Sequence, residues 1–142
     1  MKSARTLISI ALLFAATTVV FAQTENRPLM KVDIPFTFTV DNHTLPAGQY
    51  YVTSVTPERT MALTSADRKQ TLIVNDLPNY ASSPSSDSRL VFHKYGNEYF
   101  LAQVWCKGDD VVRNPMISQR QAEVAQNGLR PVSTIILADA RH

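Results

Sequence analysis

Two apolar runs joined by a two-residue turn constrain this chain more than any other feature. Arg89 to Tyr95 and Glu98 to Cys106 flank Gly96-Asn97. Both turn residues tolerate the positive φ that tight hairpins need to match strand twist. The implied register sets Lys94 against Tyr99, His93 against Phe100, Phe92 against Leu101, Val91 against Ala102 and Leu90 against Gln103. One face then holds Val91, His93, Phe100, Ala102, Val104 and Cys106, and the other Leu90, Phe92, Tyr99, Leu101 and Trp105. Both faces are largely apolar. The hairpin is therefore expected at the centre of the fold, covered on both sides. His93 is expected there as a structural residue, neutral because burying its charge is costly, and held by a backbone carbonyl or a Tyr hydroxyl. A one-residue slip would reverse every facing assignment.

The flanking sequence is also strand-like. Val32, Ile34, Phe36, Phe38 and Val40 alternate with polar residues and Pro35, predicting one strand over Val32 to Asp41. Pro35 lacks a backbone donor, which places that strand at an edge or beside a bulge. Asp41 to Thr44 supplies a turn. Gln49 to Val55 is a second strand, followed by a turn at Pro57-Glu58. Thr60 to Thr64 and Gln70 to Asn75 form two more strands around a loop at Ser65 to Arg68. Asp76 to Ser88, with two Pro and five Ser, reads as the longest loop. Lys107 to Asp110 is a turn, and Asn114-Pro115 and Ser118 are helix starts. Ser118 with Gln121 resembles a capping box for a short helix over 118–126, stopped by Asn127-Gly128. Val132 to Ala138 is the last strand. The fold class is thus all-β, about seven strands in an antiparallel sandwich or small barrel, with one short helix near the C-terminus.

The N-terminus carries an export pattern. Lys2 and Arg5 precede an apolar stretch from Leu7 to Phe21 that ends in Val20-Phe21-Ala22. The stretch is shorter than the ~20 residues of a membrane span. Its basic start, apolar centre and small-residue end are those of a secretory signal peptide. Residues 1–22 are therefore read as a signal and 23–142 as a single β-rich domain, destined for the periplasm or the exterior, with no transmembrane span after cleavage. Loss of Lys2 and Arg5 leaves 12 basic residues against 12 acidic ones, so the net charge falls from +2 to zero. No basic run suits nucleic acid, and zero net charge tolerates self-association. Further partners are unknown. The single cysteine, Cys106, permits no internal disulfide and is read as a small apolar core residue.

No catalytic pattern accompanies this layout. The chain has no nucleophile elbow, no phosphate loop and no local zinc signature. No catalytic residue, metal ligand or cofactor is assigned. Cys106 and His93 share a face in the predicted register, but several residue pairs apart. The aromatic residues are more suggestive. Tyr50, Tyr99 and Trp105, together with His93, form a candidate ligand-binding set, since exposed aromatics stack on ligands or line pockets.

Ile34-Pro35-Phe36-Thr37-Phe38, Leu45-Pro46-Ala47-Gly48-Gln49-Tyr50 and Leu90 to Gly96 through Tyr99-Phe100-Leu101 together resemble a group of small exported proteins of acidobacterial-type soil bacteria. That group carries no assigned activity. The Leu-Pro-Ala-Gly-x-Tyr piece also looks like strand entries of prealbumin-like surface modules. Neither resemblance transfers a catalytic residue. The expected function is a non-enzymatic envelope or extracellular binding or structural module. The alternatives are a small-ligand carrier with a barrel interior lined by Phe36, Phe38, Tyr50 and Phe92, or an enzyme with a site built around His93, with His43 and carboxylates.

Overall fold

The structure is a computed structural model that describes residues 28–56 and 59–140. The expected signal peptide, the expected Pro57-Glu58 turn and the residues 23–27 and 141–142 lie outside the described residues. Among the described residues, ten strands and one helix follow each other. They are β1 (Pro28–Ile34), β2 (Phe38–Val40), β3 (His43–Leu45), β4 (Gly48–Thr56), β5 (Thr60–Ser65), β6 (Thr71–Tyr80), β7 (Ser88–Tyr95), β8 (Glu98–Trp105), β9 (Val111–Pro115), α1 (Gln119–Gln126) and β10 (Val132–Ala140). Eight of them close a ring in the order β8-β7-β10-β1-β4-β5-β6-β9, and β9 pairs back onto β8. Every pairing in this ring is antiparallel. The β2–β3 hairpin joins the wall through a parallel contact of Thr39 with Phe100. The molecule is therefore a small closed β-barrel with a short helix near its C-terminus.

The strand count exceeds the expected seven for three local reasons. First, the alternation over Val32 to Asp41 does not make one strand. Residues 35–37 leave the sheet between β1 and β2. Pro35 cannot donate to a ladder, and the break carries Phe36 against Phe92 and Tyr99, with ring centroids 5.0 and 3.8 Å apart. Second, β3 occupies His43–Leu45, so the turn expected over Asp41 to Thr44 is confined to Asp41-Asn42. The segment expected as a loop from Asp76 adds no strand but lengthens β6 as far as Tyr80, so the loop is 81–87. Pro78 sits within β6, opposite Arg113 of β9. Third, β9 occupies the stretch read as a helix start. Ser118 does cap α1, its hydroxyl accepting from the Gln121 N–H, and Asn127-Gly128 ends the helix with Gly128 at φ 80°.

The interior follows from alternation along each strand. Met30, Val32 and Ile34 of β1, Val52 of β4, Met61 and Leu63 of β5, Val74 of β6 and Leu90 and Phe92 of β7 are all buried in one cluster. Phe38 and Val40 close the cluster from β2, with Phe38 edge-on to Phe92 and Tyr50. The barrel is therefore filled by its own side chains. One part of this interior is charged. Arg113 and Asp76 are buried and pair at 3.2 Å, and Arg113 also donates to the Ser54 hydroxyl, which in turn donates to the Thr56 carbonyl. Asp76 Oδ1 has no hydrogen bond among the described residues. Arg113 draws the pKa of the neighbouring Cys106 thiol down, but burial prevails and pushes it up to about 11. Cys106 is thus a protonated core residue at neutral pH.

The hairpin β7–β8 forms with the expected turn. Gly96 takes φ 59° and Asn97 does not take positive φ, the pattern of a turn with Gly first. Lys94–Tyr99, His93–Phe100 and Phe92–Leu101 pair as expected. The register then shifts: Val91 pairs with Gln103 and Leu90 with Val104. Ala102 is the extra residue of a β-bulge. The bulge turns Val104 and Cys106 into the core beside Leu90 and Phe92, and sends Gln103 and Trp105 outward. It therefore reverses the expected faces of Val104, Trp105 and Cys106, and it separates Cys106 from His93. The hairpin is also covered less evenly than expected. Its inner face lies against the core, and its outer face is roofed in part by α1. Outward-facing Ile135 and Leu137 of the adjacent β10 are 56% and 68% exposed.

Candidate functional site

The four residues proposed as a ligand-binding set do not come together. Tyr50 is buried in the core, and its hydroxyl donates to the Pro46 carbonyl at 2.7 Å. Burial, with Asp67 nearby, raises its pKa. Tyr99 stacks on Phe36 and carries Lys94 Nζ 5.2 Å from its ring centre. Trp105 lies under the Arg89 guanidinium at 4.4 Å and donates from Nε1 to Gln103 Oε1 at 3.1 Å. Arg89 is itself paired with Asp87. His93 is half-buried on the outer wall and its imidazole makes no hydrogen bond to a described residue, so the expected side-chain bond to a carbonyl or a Tyr hydroxyl is not formed. Its place in the register is as expected, but it faces a cleft rather than packed side chains.

That cleft, of about 310 Å³, lies between the outer wall and the segment leading into α1. The wall contributes His93 from β7, Ala102 and Gln103 from β8, and Asn114 from β9. Ile117 and Gln121 face them from the other side. The bulge places Ala102 and Gln103, consecutive residues, in the same cleft. Strict alternation would have turned Gln103 inward. Bulges re-aim side chains in this way. The small Ala102 side chain leaves the floor open, and Gln103 reaches up beside it.

Helix α1 holds the opposite side in place by contacts of three kinds. Val124 packs into a cluster with Tyr95 and Phe100, whose rings meet edge to face at 5.8 Å. Arg120 forms a fork onto Glu98 at the hairpin tip, with both bonds at 2.9 Å. The hydrogen bonds from Arg120 hold the Glu98 carboxyl below its ordinary pKa and raise that of the guanidinium. The Gln119 N–H donates to Asn42 Oδ1 of the turn between β2 and β3. The helix is short and has no charged residue aiding its dipole at either end, so these tertiary contacts carry it.

Two further surface clefts share no lining residue with the His93 cleft. One is formed between the 46–49 and 65–70 turns, the other between β3 and the start of β6. His43 lines the second, so it is not brought to His93. Among the described residues, no three His, Cys, Asp or Glu side chains group closely enough to hold a metal ion. No helix among them is long and apolar enough to cross a membrane.

Sequence reading missed Gln103, Asn114 and Gln121 as cleft residues. Gln103 needs the bulge, Asn114 needs β9, and the spacing of Gln121 from Ser118 points only to a capping role. One signal was present: a polar Gln within an otherwise apolar strand. Comparison with protein-family profiles, with curated proteins and with solved structures finds no match.

Proposed function

We propose that this protein is an exported, non-enzymatic binding module of the cell envelope or exterior, and that it binds through the cleft on its outer wall. The observation that carries the reading is the contrast between the two candidate volumes. The barrel interior is occupied by Phe38, Phe92, Met30, Met61 and their neighbours, each less than 2% exposed. The outer cleft is open and bordered by polar side chains with hydrogen-bonding capacity to spare. Ligand sites are concave, largely preformed, and carry a few polar groups on a rigid frame, and the anchored helix supplies that frame.

Two measurements test the reading. Mass spectrometry of the exported chain should give a mature start at Gln23; an intact Met1 on exported protein would overturn the cleavage. A fragment screen by two-dimensional NMR on residues 23–142 should perturb His93, Gln103 and Gln121. Ile117→Arg should abolish those shifts, because Ile117 is 71% exposed at the rim and its replacement adds bulk and charge without touching the core. Shifts confined to Phe38, Phe92 and other interior residues would instead favour a carrier that opens its barrel.

A further inference from the structure

We infer that the outer cleft takes a neutral, hydroxyl-rich ligand, a saccharide seated by a single ring or chain end. This rests on the cleft being the binding site. The first argument is charge. Among the described residues, no Lys, Arg, Asp or Glu side chain lines the cleft. A charged ligand would lose hydration there without meeting an opposite charge, which disfavours phosphates, carboxylates and amines.

The second argument is the polarity left free on each side chain. Gln103 Oε1 is occupied by Trp105 Nε1, so its NH₂ group is the end available to a ligand. Asn114 is held the other way round. Its NH₂ donates to the Leu77 and Val112 carbonyls, so its Oδ1 is the available end. The cleft therefore offers a fixed donor and a fixed acceptor on neighbouring strands. His93 and the Gln121 side chain, with no bond to a described residue, add a group of each kind. A neutral group that accepts from one neighbour and donates to the next is a hydroxyl, and adjacent hydroxyls on a sugar ring match the alternation. An apolar ligand would strip water from these groups and leave them unpaired, which disfavours it.

The third argument is shape. The apolar lining of the cleft is Tyr95, Leu101, Ala102, Pro115 and Ile117, of which the rigid Pro115 and the branched Ile117 suit the C–H face of a sugar ring. The volume is near the lower limit for ligand sites, ~300 Å³, which suits one ring. Both Gln103 and Asn114 are held by other bonds before the ligand arrives, so little side-chain freedom is lost on binding.

The test is NMR titration of the mature chain with methyl α-glucoside, N-acetylglucosamine and cellotriose, beside trialanine amide and inorganic phosphate. The three sugars separate a free monosaccharide from a chain end. At least one should shift the Gln103 and Gln121 side-chain amides in a saturable way. His93→Ala, at a half-exposed site, and Gln121→Ala should each weaken that binding at least tenfold. Both variants should keep the wild-type fold, read from the methyl resonances of the core. Saturable shifts of the same amides by trialanine amide or phosphate, with none from the sugars, would overturn the saccharide while sparing the cleft. No shift of cleft residues by any of these probes, with none in the fragment screen, would overturn both. Sugar binding unaffected by either variant would also overturn the assignment.

Discussion

Phe92 and His93 are neighbours in sequence that face opposite sides of the barrel wall, so substituting each in turn tests the placement of β7 directly. Phe92 is completely buried. It meets Phe36 and Phe38 edge-on at 5.0 and 5.4 Å and lies opposite Leu101. Truncation to Ala leaves a cavity that close neighbours on three sides cannot fill. Phe→Ala in a core costs ~3–5 kcal/mol, and two lost aromatic contacts at ~0.5–1.5 kcal/mol each place Phe92→Ala in the upper half of that range. With an m-value of ~1.5 kcal/mol/M in urea, the midpoint should fall by roughly 2.7–3.3 M with unchanged slope. The melting temperature should fall by about 10–20 °C. His93→Gln removes no core packing and no hydrogen bond to a described residue, so its cost should be below ~1 kcal/mol. Paired urea curves, followed by fluorescence and by circular dichroism, give both numbers. A His93→Gln cost equal to or above that of Phe92→Ala would mean that β7 is turned over in the wall, and the reasoning would fail.

Two further outcomes follow from the interior. Asp76→Ala should cost ~3–5 kcal/mol, because it removes the carboxylate paired with the buried Arg113 guanidinium, whereas Asp76→Leu with Arg113→Met should cost less than the single change; equal urea midpoints for the single and double variants would refute this. The Cys106 thiol, with its pKa at about 11, should resist a thiol reagent at pH 8 until denaturant is added, and non-reducing gels should show no disulfide dimer. Unfolding frees that thiol to ionise at ~8.5, so the folded state retains a proton that the unfolded state loses. The associated stability is complete below about pH 8.5 and is lost as pH rises toward 11. Tyr50, whose pKa is also raised, acts in the same direction at higher pH. Cys106→Ala should flatten the decline between these limits.

Much of the fold was legible because burial imposes a simple period on strands. Phe36 shows where that legibility ends. It continues the alternation of Val32, Ile34, Phe38 and Val40, so a local pattern counts it as strand. Yet the chain has left the sheet there, and the ring packs against Tyr99 from a connecting segment. An apolar residue at the right spacing reports that it is buried, not that its backbone is paired. The same limit explains β9. Asn114-Pro115 carries turn and helix-start chemistry, but Pro115 lies opposite Asp76 at the end of a ladder, and tertiary pairing with β6 overrides the local preference. Residues Asp76 to Tyr80 look like loop for the complementary reason. Their inward-facing member is a charged Asp, and only its partner Arg113, 37 positions away, makes that side chain a core residue.

The site was less legible than the fold, and the bulge at Ala102 accounts for most of the difference. Perfect alternation through β8 would have buried the Gln103 amide and exposed Val104, an arrangement costly on both counts. One inserted residue removes both costs. It sends Val104 inward to Leu90, and it sends Gln103 outward, where Trp105 fixes the orientation of the amide. The conflict between a Gln and an apolar period was visible in the sequence, and its resolution by a bulge is the cheapest available. His93 lies before the bulge, so its register was read correctly; its environment was not, because that depends on how α1 docks. Docking rests on Val124 and Arg120, which meet Tyr95, Phe100 and Glu98 only after the chain has returned across the hairpin from β9. The cleft is thus made by a local defect in one strand and a long-range contact of one helix. The first leaves a trace in the sequence pattern; the second leaves none until the strands it bridges have been placed.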